Sequence, residues 1–129
     1  MKIFISQPMS GLTENQIRRN RALAVNRLYH HIRQMPDNWP KEWRNSNDWE
    51  MIDNFQFDEE PHRLYHMSND IMAMGEADMV FFINTWQFSR GCRVEHYIAN
   101  AYGFYILEEF DNHMRFVDPD QTIIKVAIK

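Results

Sequence analysis

Residues 77–107 read ADMVFFINTWQFSRGCRVEHYIANAYGFYIL, and their patterning decides the fold. Positions 79–83 form a short apolar run rich in aromatic and β-branched residues, the pattern of a strand buried on both faces and therefore of a parallel sheet. A polar turn over 84–91 leads into a helical pattern that sets Val94, Ile98 and Ala101 on one face and Glu95, Ala99 and Tyr102 on the adjoining one. Gly103 is placed to end that helix, and a second apolar run over 104–107 supplies the next strand. Such a strand, helix, strand unit crosses over right-handedly. Open α/β sheets bind ligands beyond the carboxyl ends of their strands. That rule places Trp86, Ser89, Gly91 and Glu95 where a site is expected.

Working outward, Lys2–Ser6 reads as a strand, broken by the turn QPMSG. Thr13 with Gln16 three residues on predicts a capping box, and the helix it opens carries Ile17, Leu23 or Ala24, Leu28 and Ile32 on one stripe until Pro36 stops it. Residues 36–61 set Trp39, Trp43 and Trp49 among polar residues, with MIDNFQF as the available strand. They are too aromatic for a disordered linker and read as an ordered excursion around a brief second strand. Helical spacing returns over 61–75 through Leu64, Met67 or Ser68, Ile71 and Met74. After the central unit, EEFDNHMRF reads as a loop or short helix and TIIKVAIK as an alternating edge strand. The order predicts one α/β domain over 1–129: a three-layer, doubly wound, mostly parallel sheet of the flavodoxin or Rossmann kind, with four or five strands.

A chain of 129 residues is large enough to bury about two-thirds of its unfolded surface without staples. A net charge of −4 argues against a nucleic-acid polymer as partner but admits a single nucleotide. No apolar stretch reaches the length of a membrane span, and MKIFISQPMS is too short and polar for a signal peptide. The lone Cys92 allows no internal disulfide, so a cytoplasmic setting is expected. Gly11, Gly75, Gly91 and Gly103 form neither GxGxxG nor GxxxxGK, which argues against dinucleotide and P-loop cofactors. His62 and His66 are four apart but lack the HExxH glutamate and a third ligand, so no metal is expected.

Glu95, early on its helix, can face a pocket while the helix N-terminus favours its anion; acidic residues also occur there for the dipole alone. Ser89 can be a site residue or an N-cap. Asp70, late in its helix, is disfavoured by the dipole unless it faces solvent or serves the site.

The segments KIFISQPMSG, SNDIMAMGEADMVFFI and SRGCRVEHYIANAYGFYIL together resemble the nucleoside 2-deoxyribosyltransferase-like superfamily, in particular its small phage and bacterial branch of unassigned function (DUF4406-like). The resemblance implies that Glu95 is a nucleophile and that Asp70, in the pair Asn69–Asp70, is the second acid. It implies cleavage of the N-glycosidic bond of a 2-deoxynucleoside or its 5-monophosphate, by hydrolysis or base transfer, with retention through a glycosyl ester. On the same basis Gln7, Pro8, Met9, Ser10 and Gly11 line the pocket, Trp86 stacks on the base, and Ser89 and Ser10 hold sugar or phosphate oxygens; the loop SRGCRVE departs from the family's acidic or small-residue version, and its Arg90 and Arg93, about Gly91, are expected to reach a phosphate. A homodimer or higher homo-oligomer in a bacterial or phage-infected cell is expected, without cofactor. The family's first-strand tyrosine falls here on Phe4, which removes one hydrogen bond to Glu95. Two other readings compete: a non-catalytic nucleotide-derivative binding module on the same sheet, and a scaffold using an exposed surface of Trp39, Trp43 and Trp49.

Overall fold

The structure, a computed structural model, describes residues 1–53 and 64–128. Strands β1 (Lys2–Ser6), β2 (Glu50–Met51), β3 (Met79–Phe82), β4 (Tyr105–Glu109), β5 (His113–Val117) and β6 (Ile123–Ala127) form one sheet in the order β2-β1-β3-β4-β5-β6. Pairing is parallel from β2 through β4 and antiparallel from β4 through β6. The helices are α1 (Glu14–His31), α2 (Tyr65–Met74) and α3 (Arg90–Ala101).

Alternation along the strands builds two cores. Ile3, Ile5, Phe81 and Leu107 face α1 through Ala24 and Leu28, whereas Phe4, Val80, Phe82 and Ile106 face α2 and α3 through Met74, Cys92 and Ala99. The sheet therefore carries helices on both faces, as expected of a three-layer fold. Thr13 and Gln16 close the predicted capping box, and of Leu23 and Ala24 it is Ala24 that is buried. Gly103, at φ 73°, ends α3: its N–H donates to the Asn100 carbonyl, and Phe104 N–H donates to that of Ala99. These are the paired bonds of a left-handed glycine cap.

The sheet departs from expectation in number and direction. Among the described residues it has six strands rather than four or five, and the last two pairings are antiparallel, so that β5 runs against the rest. The segment EEFDNHMRF is not a loop or helix: Glu108 and Glu109 complete β4, Asp111 and Asn112 turn the chain, and residues from His113 begin β5. The two glutamates of that segment are each 1% exposed. Adjacent on a strand, they point to opposite faces. Glu108 receives Arg115 from β5 at 2.7 Å and pairs with His96 of α3. Glu109 receives a two-pronged bond from Arg27 of α1 at 2.7 and 2.9 Å, His31 at 2.6 Å, and the backbone N–H of Asn84 at 3.0 Å. Such partnering is what permits burial of a carboxylate. The expected edge strand is present as β6.

The tryptophan-rich excursion is ordered through short 3-10 turns. Trp39 is buried against Tyr105 and Phe116, Trp43 packs edge-on to Trp39, and Trp49 stacks on Tyr29 while donating to the Trp43 carbonyl. These rings complete the α1-side core, so the scaffold reading loses its exposed aromatic patch. The brief second strand is Glu50–Met51 beside β1; the remainder of MIDNFQF beyond Asp53, with the first residues of the helix expected from 61, lies outside the described residues. Among the described residues, no helix is long and apolar enough to cross a membrane.

Burial alone raises the Glu109 carboxyl, but the hydrogen bonds from His31 and Arg27, the Arg27 charge and the Asn84 N–H outweigh it and bring the group down to about 2. A depressed carboxylate stabilises the fold above its usual 4.5, and that contribution is lost as pH falls from there through about 2. Glu109→Gln is expected to cost about 3 kcal/mol near neutrality, as for a broken buried ion pair. Denaturant titrations between pH 3 and 7 check this: the variant's stability should fall less steeply with acid than the parent's.

Candidate functional site

Two chain features build a cleft at the carboxyl edge of the sheet. From β1 the chain moves outward to β2, and α2 then leads back across to β3 on the other side of β1, so the strand order reverses between β1 and β3. That crevice is where open α/β sheets take ligands. The cleft has a volume of about 680 Å³; its walls come from the turn after β1, from α2, and from the β3–α3 turn with the start of α3.

Its floor is acidic and buried. Glu95, on the second turn of α3, is 5% exposed, and Asp70 of α2 is 7% exposed. Cys92, Glu95 and Ala99 form the inward face of α3, while Val94, Ala101 and Tyr102 turn outward, so the helix is rotated towards its Glu95 face relative to the first stripe the pattern offered. In α2 the buried residues are Asp70 and Met74, and Leu64 is exposed. Asp70 is thus a mid-helix residue turned inward. Ser6, the last residue of β1, donates its hydroxyl to Glu95 Oε1 at 2.7 Å. It stands two residues beyond Phe4 on the same strand face, and from there it reaches the Glu95 carboxyl.

Burial pushes the Glu95 carboxyl up to about 8; the Ser6 hydrogen bond pulls the other way, and the charge of Asp70 with its hydrogen bond to Glu95 adds to the rise. With its carboxyl raised in this way, Glu95 favours its protonated form at neutral pH. Burial also raises the Cys92 thiol, despite bonds with the Ser6 and Ser89 hydroxyls.

The walls gather most of the residues singled out in the sequence. Gln7, Pro8, Met9, Ser10, Ser89, Arg90 and Gly91 all line the cleft with Asp70 and Glu95. Ser89 is also the N-cap of α3, its hydroxyl accepting from the Cys92 N–H. Gln7 donates through Nε2 to the Ile17 carbonyl, and its buried Oε1 has no partner among the described residues.

Three expected residues stand elsewhere. Gly11 takes φ 79° in the turn closed by Leu12 N–H on the Met9 carbonyl; its place is conformational and it does not line the cleft. Trp86 is not a cleft residue either: it is 7% exposed and stacks on His96 with ring centres 4.2 Å apart, because the turn after β3 folds it back under itself. Arg93 lines a separate depression with Trp86, His96 and Tyr97, leaving Arg90 as the arginine at the cleft.

Sequence reasoning missed His66, Met67, Thr85, Phe88 and Cys92 as lining residues. For His66 and Met67 a signal existed: both precede Asp70 by one helical turn and share its side of α2. Phe88 and Thr85 were hidden in a turn whose path depends on Thr85 adopting the left-handed region, φ 74°, which a β-branched residue rarely enters.

Fold and cleft together define an α/β protein with a crevice at the strand-order reversal of its sheet. The chain belongs to the family described as Domain of unknown function (DUF4406), whose model matches residues 1–108. That span holds the parallel strands, all three helices and every cleft residue, and it stops just short of the β5–β6 hairpin. No curated protein and no solved structure matches the chain.

The raised Glu95 carboxyl fixes the sign of a pH effect. A group whose folded pKa lies above its usual value favours folding below that usual value, and the benefit is lost as pH rises through about 8. Glu95→Gln keeps the shape and removes the titration. Melting curves at pH 5 and pH 9 should therefore differ less for the variant, with its advantage over the parent growing by several degrees towards pH 9.

Proposed function

We propose that the protein cleaves the N-glycosidic bond of a 2-deoxynucleoside or its 5-monophosphate, by hydrolysis or by transfer to a second base, through a glutamate nucleophile. The observation that carries this reading is the buried Glu95–Asp70 carboxyl pair, oriented by Ser6, on the floor of a cleft sized for a nucleotide. The resemblance to the nucleoside 2-deoxyribosyltransferase-like superfamily supports it, since the pair occupies the places of that family's nucleophile and second acid.

A pair holding one proton suits a retaining displacement. The productive form has Glu95 ionised and Asp70 protonated. Glu95 attacks C1 of the deoxyribose, the C1–N bond breaks, its electron pair leaves with the base, and the Asp70 proton neutralises that base. The product is a glycosyl ester on Glu95 and an ionised Asp70. In the second half, Asp70 takes a proton from water or from an incoming base as either attacks C1 and releases Glu95. The Ser6 bond holds one Glu95 oxygen, leaving the other for C1. Lacking a 2-hydroxyl, the deoxyribose reaches its oxocarbenium-like state more easily, so a positioned carboxylate and a local acid are the groups the reaction requires. Arg90 and Ser10 at the wall offer donors to a 5-phosphate.

The raised Glu95 also suits the competing binding module, in which neutral carboxyls hydrogen-bond sugar hydroxyls without reaction. One experiment separates the two. Incubating the protein with each 2-deoxynucleoside and 5-monophosphate, with and without a second base, should release or exchange base, followed chromatographically. Glu95→Ala should lower the rate at least a thousandfold and Asp70→Asn about a hundredfold, the ordinary scale for loss of a general acid. The rate should decline above about pH 8 as the shared proton is lost. Absence of release and exchange with every substrate, alongside retained nucleotide binding, establishes the binding module instead.

A further inference from the structure

We propose that Phe88 is the platform on which the planar ring of the cleft's ligand stacks, and that residues 84–89 are its rigid mount. That the ring is a nucleobase rests on the function proposed above; the stacking itself rests on the geometry of the turn.

Phe88 is 81% exposed and lines the cleft, whereas the residues around it are fastened down. The Asn84 N–H is held by Glu109, its side-chain amide by Asp111, and the Thr85 N–H by the Asn84 side-chain oxygen. Trp86 N–H donates to Ile83, Phe88 N–H to Thr85 and Ser89 N–H to Trp86, each between 3.0 and 3.1 Å. On the inner side Trp86 is wedged against His96, Phe82 and Phe110. Thr85 sits at φ 74°, a conformation costing about 1–2 kcal/mol for a residue with a Cβ, which persists only where the surroundings impose it. The result is a large aromatic ring held out into solvent on a backbone with little freedom left to lose. An exposed phenylalanine on a mobile loop would lose that freedom on binding; here the cost of ordering is already met by folding.

The surroundings have the matching polarity. Near Phe88 the cleft offers the apolar side chains of Pro8, Met9 and Met67, the last lying over Gly91, where a Cβ would stand 3.5 Å from its Cε. Hydrogen-bonding groups lie at Asp70 and Glu95 on the floor and at Gln7, Ser10, His66, Ser89 and Arg90 along the walls. A ligand filling the cleft thus presents a polar, sugar-like part to the carboxyls and a flat apolar face to Phe88.

The test titrates the full chain carrying Glu95→Gln, which prevents turnover, with each 2-deoxynucleoside 5-monophosphate and, separately, with 2-deoxyribose 5-phosphate. Base–aromatic stacking is worth about 1–3 kcal/mol, so adding Phe88→Leu should weaken the nucleotides roughly 5- to 150-fold. The sugar phosphate should bind as before, and Phe88→Tyr should hold nucleotide affinity within about threefold. Equal nucleotide affinity with Leu, or equal weakening of both ligands, overturns the proposal, as does a change in sedimenting mass that marks Phe88 as a contact between copies. Phe88-dependent nucleotide binding by a wild-type protein that cleaves none leaves the platform standing and removes the glycosyl reading. Failure to bind any nucleotide removes both.

Discussion

The interaction on which the architecture depends is the burial of two consecutive carboxylates at the end of β4. Glu108 and Glu109 leave the strand in opposite directions, so each is available to one helical layer. Glu109 ties α1 to the sheet through Arg27 and His31, and through the Asn84 N–H it also fastens the turn that follows β3. Glu108 joins α3 to β5 through His96 and Arg115. Neither anion could remain in the interior without these partners, since an unpaired buried carboxylate costs more than a core of this size can absorb. The same strand end therefore sets the position of α3, whose inner face carries Glu95, and the path of the turn that carries Phe88.

The cleft shows the opposite electrostatic situation. Glu109 meets cations and donors and is pulled down; Glu95 meets Asp70 with only the Ser6 hydroxyl in opposition and is pushed up. Desolvation is comparable for both, so the partner decides the sign. One pair ties the layers together, and the other works against the fold as pH rises. Burial and the neighbouring Asp70 carboxyl both oppose ionisation of Glu95, and carboxyls perturbed in this way cluster at functional sites.

The parallel half of the fold was legible because its signals are local. An apolar run over 79–83, a capping box at Thr13 and a glycine at 103 each follow from the chemistry of a few neighbouring residues. Ser89, Glu95 and Gly91 could be placed at the cleft from the same unit. What could not be read depended on partners far along the chain. The glutamates that open EEFDNHMRF look solvated until Arg27, His31, His96 and Arg115 are brought to them, and the hairpin went unseen with them. The burial of Trp86 and the exposure of Phe88 went unread for a related reason. Both lie in a polar turn, and only the left-handed step at Thr85 determines which ring goes inward and which goes out.

On β1 the residue that reaches the buried carboxyl of the cleft is Ser6. The resemblance places an orienting hydroxyl at position 4, yet Phe4 there is fully buried in the α2–α3 core and carries no donor. Moving along β1 by two residues preserves the face and advances the hydroxyl about 7 Å towards the carboxyl end of the strand, where a short serine reaches Glu95 directly. A tyrosine must extend from further back to touch the same carboxylate, and it fills the core volume that Phe4 fills here. Here Phe4 packs the core and Ser6 holds one oxygen of the Glu95 carboxyl. The constraint on the sequence is therefore a donor on that face of β1 within reach of Glu95, rather than a particular residue at a particular position.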